Sequence, residues 1–358
     1  MDSQGWPEPV VPVQSLSESG LMEIPANYVK PPSERPHAVS FLDGPEEGLK
    51  IPIIDLGGLA GDSGERQATM QEMWDACKEW GFFQVVNHGV SLDLVEKMRK
   101  LWKEFFHLPM EEKKAYANSP KTYEGYGSRL GVAKDAILDW TDYFFFHLYP
   151  DSVKNLDKWP LRPETLRGTT EEYGRELVKL CRVLLKVLSI GLGLDEGYLQ
   201  KVFGGDDIGA CMRVGLYPKC PQPELTLGLS PHSDYGGLTI LLADERVNGL
   251  QVRKGDAWVT VQPAPGAFTV NVGDQIQVIS NSVYRSVEHR VIANSVEERL
   301  SLAFFYNPRG DLAIGPAPEL VTPQNPPLYR TIIFEEYRWY MRNLGLRGKL
   351  AVESLKTK

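Results

Sequence analysis

The chain is expected to be an α+β protein in which a helical first half packs on an all-β jelly roll. Three observations predict this: apolar residues at helical spacing up to about residue 207, a succession of short strand-like runs after it, and a last helical stretch over about 333–344. Residues 1–48 are rich in Pro, Ser and Glu with little periodicity, and read as a partly ordered N-terminal arm. Three regions follow. Residues 49–207 are mainly helical and pack on the core, 208–312 form the jelly roll, and 313–358 are an extension that carries the last helix.

The elements follow in order. Ile51-Pro-Ile-Ile-Asp-Leu56 is a short apolar strand. Met70, Met73, Trp74, Cys77 and Trp80 repeat at helical spacing, Gly81 ends that helix, and Phe82–Val86 returns to strand. Ser91 caps a helix whose apolar face is Leu94, Val95, Met98, Leu101, Trp102 and Phe105. A longer helix spans about Thr170 to Gly191, with Tyr173, Leu177, Leu180, Leu184, Val187 and Leu188 as its stripe. The β-runs are then 211–217, 238–243, 249–253, 258–263, 267–272, 275–280, 287–293 and 298–305, with turn residues between them.

Bulk properties narrow the function. The 358 residues are 42% hydrophobic, enough for a sizeable core. A net charge of -8 without a Lys/Arg run argues against nucleic acid or an anionic membrane as partner, because both are bound through basic patches. An acidic small molecule still fits if a cationic pocket lies inside the acidic whole. The opening residues Met1 to Gly5 have neither a basic nor an apolar region, so no signal peptide is expected. Cys77, Cys181, Cys211 and Cys220 show no CxxC spacing and read as reduced core thiols. The expected compartment is the cytoplasm, with the nucleus as a second one.

His232-Ser-Asp234 carries the chemistry. In an extended segment, residues two apart face one side, so imidazole and carboxylate converge. His289, on a later strand-like run, supplies a third ligand. Two His and one carboxylate make the facial triad of iron(II) oxygenases, which leaves coordination positions for a chelating cosubstrate and dioxygen. A His-x-Asp pair alone recurs by chance and is as often a turn pair. Arg299-Leu-Ser301 distinguishes the readings. Arg299 and Ser301 share a strand face, and a guanidinium beside a hydroxyl clamps a carboxylate. The competing reading pairs Arg299 with Glu297 or Glu298 at the strand edge.

Together, His232-x-Asp234, His289 and Arg299-x-Ser301 resemble the plant 2-oxoglutarate/iron(II)-dependent dioxygenases. So do Trp80-Gly-Phe-Phe-Gln-Val-Val-Asn-His-Gly89, Tyr217-Pro-Lys-Cys-Pro-Gln-Pro-Glu224, Asn271-Val-Gly-Asp274 and Ser280-Asn281. The resemblance covers nearly the whole chain. It implies a double-stranded β-helix core, Fe(2+) as metal, 2-oxoglutarate as cosubstrate, O2 as oxidant and ascorbate as activity support. It also implies that Tyr217, Arg299 and Ser301 hold 2-oxoglutarate. The family usually carries Asn where this chain has Gly215, so one contact beside the cosubstrate is expected to be missing.

Thr122-Tyr-Glu-Gly-Tyr-Gly-Ser-Arg-Leu-Gly131, Leu138-Asp-Trp140, Ser230-Pro-His-Ser-Asp234 and Leu302-Ala-Phe-Phe-Tyr-Asn-Pro308 narrow the resemblance to the jasmonate-induced oxygenases. Those enzymes hydroxylate jasmonic acid to its 12-hydroxy form and so lower the active hormone and repress the responses it drives, plant defence among them. The resemblance implies that Arg213, Arg338 and Arg342 hold the substrate carboxylate, and that Phe145 and Phe305 are aromatic pocket residues. Arg338 and Arg342 stand i,i+4 on the last helix and so share a face. The alternative is that Glu335 and Glu336 neutralise them on a solvated face, and that Phe145 is ordinary core.

Three other functions compete. A flavonoid-modifying dioxygenase, of the anthocyanidin synthase or flavonol synthase type, shares the iron and 2-oxoglutarate motifs but has no use for three substrate arginines. A non-catalytic, ligand-sensing jelly roll would keep the sites and release no succinate. A zinc hydrolase would need a general base beside the metal and no Arg-x-Ser clamp. Gly191-Leu-Gly193 is not a nucleotide loop, because it ends a helix instead of following a strand.

Overall fold

Eight strands form one sheet with a face of each kind: one buries apolar side chains under helices, the other lines a cavity. A computed structural model of the chain describes Trp6, Glu8 and residues 10–36, 49–131 and 133–357. Residues 37–48 of the arm and the opening Met1 to Gly5 lie outside the described residues. The chain runs through α1 (Val13–Glu18), β1 (Ile53–Asp55), α2 (Ser63–Glu79), β2 (Phe82–Val86), α3 (Leu92–Phe106), α4 (Met110–Lys114), β3 (Gly125–Gly127) and β4 (Asp142–Tyr149). Next come α5 (Leu166–Gly191), α6 (Tyr198–Val202), β5 (Gly209–Tyr217), β6 (Leu229–His232), β7 (Leu238–Leu242), β8 (Leu250–Lys254), β9 (Ala257–Thr260) and β10 (Phe268–Val272). Then follow α7 (Asp274–Ile279), β11 (His289–Val291), β12 (Arg299–Asn307), α8 (Phe334–Leu344) and α9 (Leu350–Glu353).

The large sheet has the order β1-β2-β10-β7-β12-β5-β4-β3, and the small one the order β6-β11-β8-β9. All pairings in them are antiparallel except β1 with β2. The two sheets enclose the cavity, as a jelly roll does. The helical first half is therefore also part of the sheet, since β1 to β4 extend both its edges.

Strand alternation sorts the side chains. On β12, Leu300, Leu302, Phe304 and Tyr306 enter the main core, while Arg299, Ser301, Ala303 and Phe305 line the cavity. On β5, Met212, Val214 and Leu216 enter the core, while Arg213 and Tyr217 line the cavity. α3 covers the core side. Ser91 caps it, its hydroxyl accepting from the Leu94 amide, and Trp102 stacks on Phe146 of β4 with centroids 5.6 Å apart. Full burial of such a side chain is worth roughly 1.5–3 kcal/mol, so this packing fixes β4 and with it Tyr143 and Phe145 on the other face.

Gly81 has φ +63, and a Cβ there would lie 2.2 Å from the Arg285 carbonyl oxygen, so the turn from α2 into β2 requires glycine. The four cysteines are buried free thiols. Among the described residues, no helix is long and apolar enough to cross a membrane.

Of the run 275–280, expected as strand, residues 275–279 lie in helix α7 instead and Ser280 caps its end. All six residues of α7 are buried, so no polar face marks its period. The side-chain amides of its two glutamines donate inside the protein, Gln275 to the Tyr235 carbonyl at 2.8 Å and Gln277 to the Tyr329 hydroxyl at 2.8 Å.

The arm's described part is ordered and anchored. The first two amides of α1, Val13 and Gln14, donate to the buried Asp142 carboxylate of β4 at 2.8 and 2.9 Å. Pro12 precedes α1 and offers no side-chain cap, so a residue 129 positions away supplies it.

Candidate metal and cosubstrate site

β6 and β11 run antiparallel, and the ladder sets His289 directly opposite His232. Their ring centroids are 4.2 Å apart. Asp234 follows two residues after His232, and one ligand atom from each of the three lies within 4.8 Å of the others. The Asp234 Oδ1 is 3.7 Å from the Nε2 of both imidazoles.

Neighbours orient each ligand. His232 Nδ1 is 2.9 Å from the Ser230 carbonyl and His289 Nδ1 is 3.2 Å from the Val287 carbonyl. A carbonyl only accepts, so Nδ1 carries the hydrogen and the Nε2 lone pair is left for a metal. Burial, with His289 adding to it, pushes the His232 imidazolium down to about 4, so the ring is neutral near pH 7. Asp234 Oδ2 accepts from Thr239 Oγ1 at 2.6 Å and Asn271 Nδ2 at 2.7 Å, which leaves Oδ1 for coordination. Two imidazoles, one carboxylate and no thiolate suit iron(II) and keep positions open toward the cavity.

Arg299 and Ser301 line the cavity beside this triad. The Arg299 guanidinium stacks over Tyr217 at 5.1 Å, and its Nε and Nη1 are buried without a hydrogen-bond partner among the described residues. Neither nearby glutamate takes it: Glu297 pairs with Arg246 at 2.8 Å, and Glu298 faces His107 at 3.2 Å. Burial holds Arg299 below its usual pKa, only partly offset by Tyr217 and Asp244. A buried cation with orphaned donors is costly until an anion meets it, so the residues fit a carboxylate cosubstrate. At Gly215 a Cβ would lie 3.1 Å from the Tyr217 hydroxyl. Tyr217 thus leans into space that a side chain at 215 would contest.

Further along the cavity, Arg213 lies over Tyr143 at 4.9 Å, again with buried Nε and Nη2 that have no hydrogen-bond partner among the described residues. Arg342 lies over Tyr123 at 5.6 Å and donates to the Thr122 carbonyl at 3.5 Å. Phe145 and Phe305 line the same cavity, and Phe305 stacks on Tyr235 at 6.3 Å. Arg338 is placed differently. It lines a neighbouring cleft with His147 and Asn307 and pairs with Glu335 at 2.6 Å, while its Nε stays buried without a hydrogen-bond partner among the described residues.

Sequence reasoning missed Thr239 and the role of Asn271. A signal existed: β10 is buried throughout, and an Asn in a fully buried strand must find a polar partner. It also missed Tyr123 and Tyr143, the aromatic beds under two arginines, because aromatic residues in apolar runs read as core.

Comparison with known proteins follows the same lines. Residues 51–164 match the family described as non-haem dioxygenase in morphine synthesis N-terminal, and residues 208–308 match the 2OG-Fe(II) oxygenase superfamily. Jasmonate-induced oxygenase 2 of Arabidopsis thaliana is 57% identical over 350 residues, covering 98% of this chain and 94% of the relative. Jasmonate-induced oxygenase 1 of the same plant is 57% identical, covering 98% and 87%. Among solved structures, JOX2 in complex with 2OG, Fe and JA superposes with a TM-score of 0.92 at 56% identity, covering 99% of this chain and all of that one. A rice dioxygenase for auxin oxidation superposes with a TM-score of 0.72 at 29% identity, covering 86% and 100%.

Proposed function

From the premise that this chain belongs to the 2OG-Fe(II) oxygenase superfamily and is a 2-oxoglutarate-dependent dioxygenase, we propose that it hydroxylates jasmonic acid to 12-hydroxyjasmonate. The reaction lowers the active hormone and so damps jasmonate responses, including defence. One observation carries the substrate class: Arg213 lines a largely apolar cavity with its Nε and Nη2 buried and without a hydrogen-bond partner among the described residues. A small acid with an apolar body supplies the anion and fills the rest. The names of the relatives give the particular acid.

In this reading His232, Asp234 and His289 hold iron(II), and Tyr217, Arg299 and Ser301 hold the far carboxylate of 2-oxoglutarate. When bound, iron with 2-oxoglutarate and dioxygen supplies the oxidant for an unactivated carbon, with succinate and carbon dioxide as coproducts. The protein's part is orientation. Arg213 and Arg342 fix the acid end of the substrate, and Arg338 joins them when it exchanges Glu335 for that carboxylate. Phe145 and Phe305 exclude water and aim the apolar end at the triad.

The test is mass spectrometry of products from jasmonic acid and from a neutral dihydroflavonol, with iron, 2-oxoglutarate and ascorbate. Hydroxylated jasmonate with stoichiometric succinate is expected. Turnover of the flavonoid in preference to the acid overturns the reading.

A further inference from the structure

The tautomer that makes His232 a ligand rests on the Ser230 carbonyl, so whatever fixes Ser230 also fixes the metal site. Ser230 is held by a carboxylate from another element. Asp139, between β3 and β4, accepts from the Ser230 amide at 3.0 Å and from its hydroxyl at 2.6 Å. That aspartate has a cation of its own. Lys30 of the N-terminal arm lies 2.8 Å from Asp139 Oδ1 and donates to the Ser230 hydroxyl at 2.9 Å. Lys30 is only 3% exposed. Burial opposes the charge on Asp139, but Lys30 and the two Ser230 donors outweigh it and hold its pKa below the usual value.

Lys30 is brought there by backbone, not by chance. Its amide donates to the Leu225 carbonyl at 2.8 Å, and the Leu138 amide donates to the Asn27 carbonyl at 2.7 Å. Tyr28 meets Trp140 edge to face at 5.2 Å. Residues 27–30 of the arm are thus laced to the segments that carry Asp139 and Ser230.

We propose that Lys30 and Asp139 are positioning residues of the metal centre, acting through the Ser230 backbone on His232. The arm is then a working part of the site and not a tether. A buried ion pair is a poor source of net stability, because desolvation cancels much of the attraction. Directional control of a metal ligand gives this one a use. Outer partners of ligating histidines change metal affinity about 10–100-fold when lost.

The proposal rests on the metal-centre reading, and Co(II) binding separates the two. Failure of the unaltered chain to bind Co(II) sinks the metal-centre reading itself. If it binds, Asp139→Asn and the double variant Lys30→Met/Asp139→Leu are compared with it. The first removes the charge at constant shape, and the second removes both buried charges and leaves neither unpaired. Co(II) dissociation constants come from the d–d absorption spectrum, and folding from circular dichroism. Expected is a Kd about tenfold weaker in each folded variant, with the melting temperature of the double variant near that of the unaltered chain. Unchanged Co(II) affinity in either folded variant overturns the proposal. So does failure of both to fold, since the trio would then serve the fold and not the metal.

Discussion

His232 and His289 are directly opposed residues of one antiparallel ladder, with ring centroids 4.2 Å apart. Their convergence is therefore fixed by strand register, and a one-residue slip of β11 would turn His289 away from the cavity. His289→Ala should abolish turnover and metal binding while leaving the ladder intact. At a hundredfold excess over its Kd, a bound metal adds about 2.7 kcal/mol to stability. Co(II) should accordingly raise the melting temperature of the unaltered chain and not that of His289→Ala. A matching rise in the variant would remove His289 from the ligand set.

Asn271 and Thr239 both donate to Asp234 Oδ2. With either donor gone, the carboxylate can rotate and offer its oxygens differently. Asn271→Ala should weaken metal binding about 10–100-fold. Titration with Co(II) reads this directly, and an affinity within twofold of the original would show that the donor is dispensable.

Arg213 has two buried donors without partners among the described residues. The free protein bears that desolvation cost, and a bound acid relieves it. Arg213→Met should therefore leave the ligand-free protein no less stable than the unaltered chain. The same change should raise KM for the acidic substrate by about 10–100-fold, the worth of one or two charge-assisted hydrogen bonds. KM for 2-oxoglutarate should stay put, because that anion is assigned to Arg299. Calorimetry and steady-state kinetics on one preparation check both halves. A lower melting temperature would mean that Arg213 is structural.

Glu335 holds Arg338 at 2.6 Å, outside the main cavity. If Arg338 is to reach the substrate, Glu335 competes with it. The pair is partly exposed and so worth at most about 1 kcal/mol. Glu335→Gln should lower KM for the acid up to about fivefold. A KM that rises instead would mean that Glu335 holds Arg338 in its working position.

The placement of the candidate triad, and of Arg299 beside Ser301, was legible because strand alternation turns spacing into direction: Arg299 and Ser301, two apart, had to share a face. Arg338 shows the limit of the same reasoning on a helix. Its i,i+4 relation to Arg342 puts both on one side, but guanidinium groups on long stems take different partners, one Glu335 and the other the Tyr123 ring. The helix α7 was illegible because burial on all sides erased its period. Lys30 was illegible for another reason. It lies in a stretch with no hydrophobic pattern, and its partner Asp139 is 109 residues away by number, so no local signal could join them.

His147 gives the pH dependence. Burial, with Arg338 and Arg342 adding their charge, pushes its imidazolium down to about 3. In the unfolded chain the ring titrates near its ordinary value of about 6.5. Below that pH the unfolded state binds a proton that the folded state refuses, so stability falls with pH. The contribution is whole above pH 6.5 and is lost progressively as pH falls toward 3. At about 1.4 kcal/mol for each pH unit, roughly 2 kcal/mol should be gone by pH 5. His147→Gln should lack this loss, while the carboxylates titrate alike in both proteins and cancel in the difference. Denaturant unfolding of the pair at pH 7 and pH 5 measures it. A difference that does not change between the two would mean that His147 takes its proton within the fold, despite the two arginines facing it.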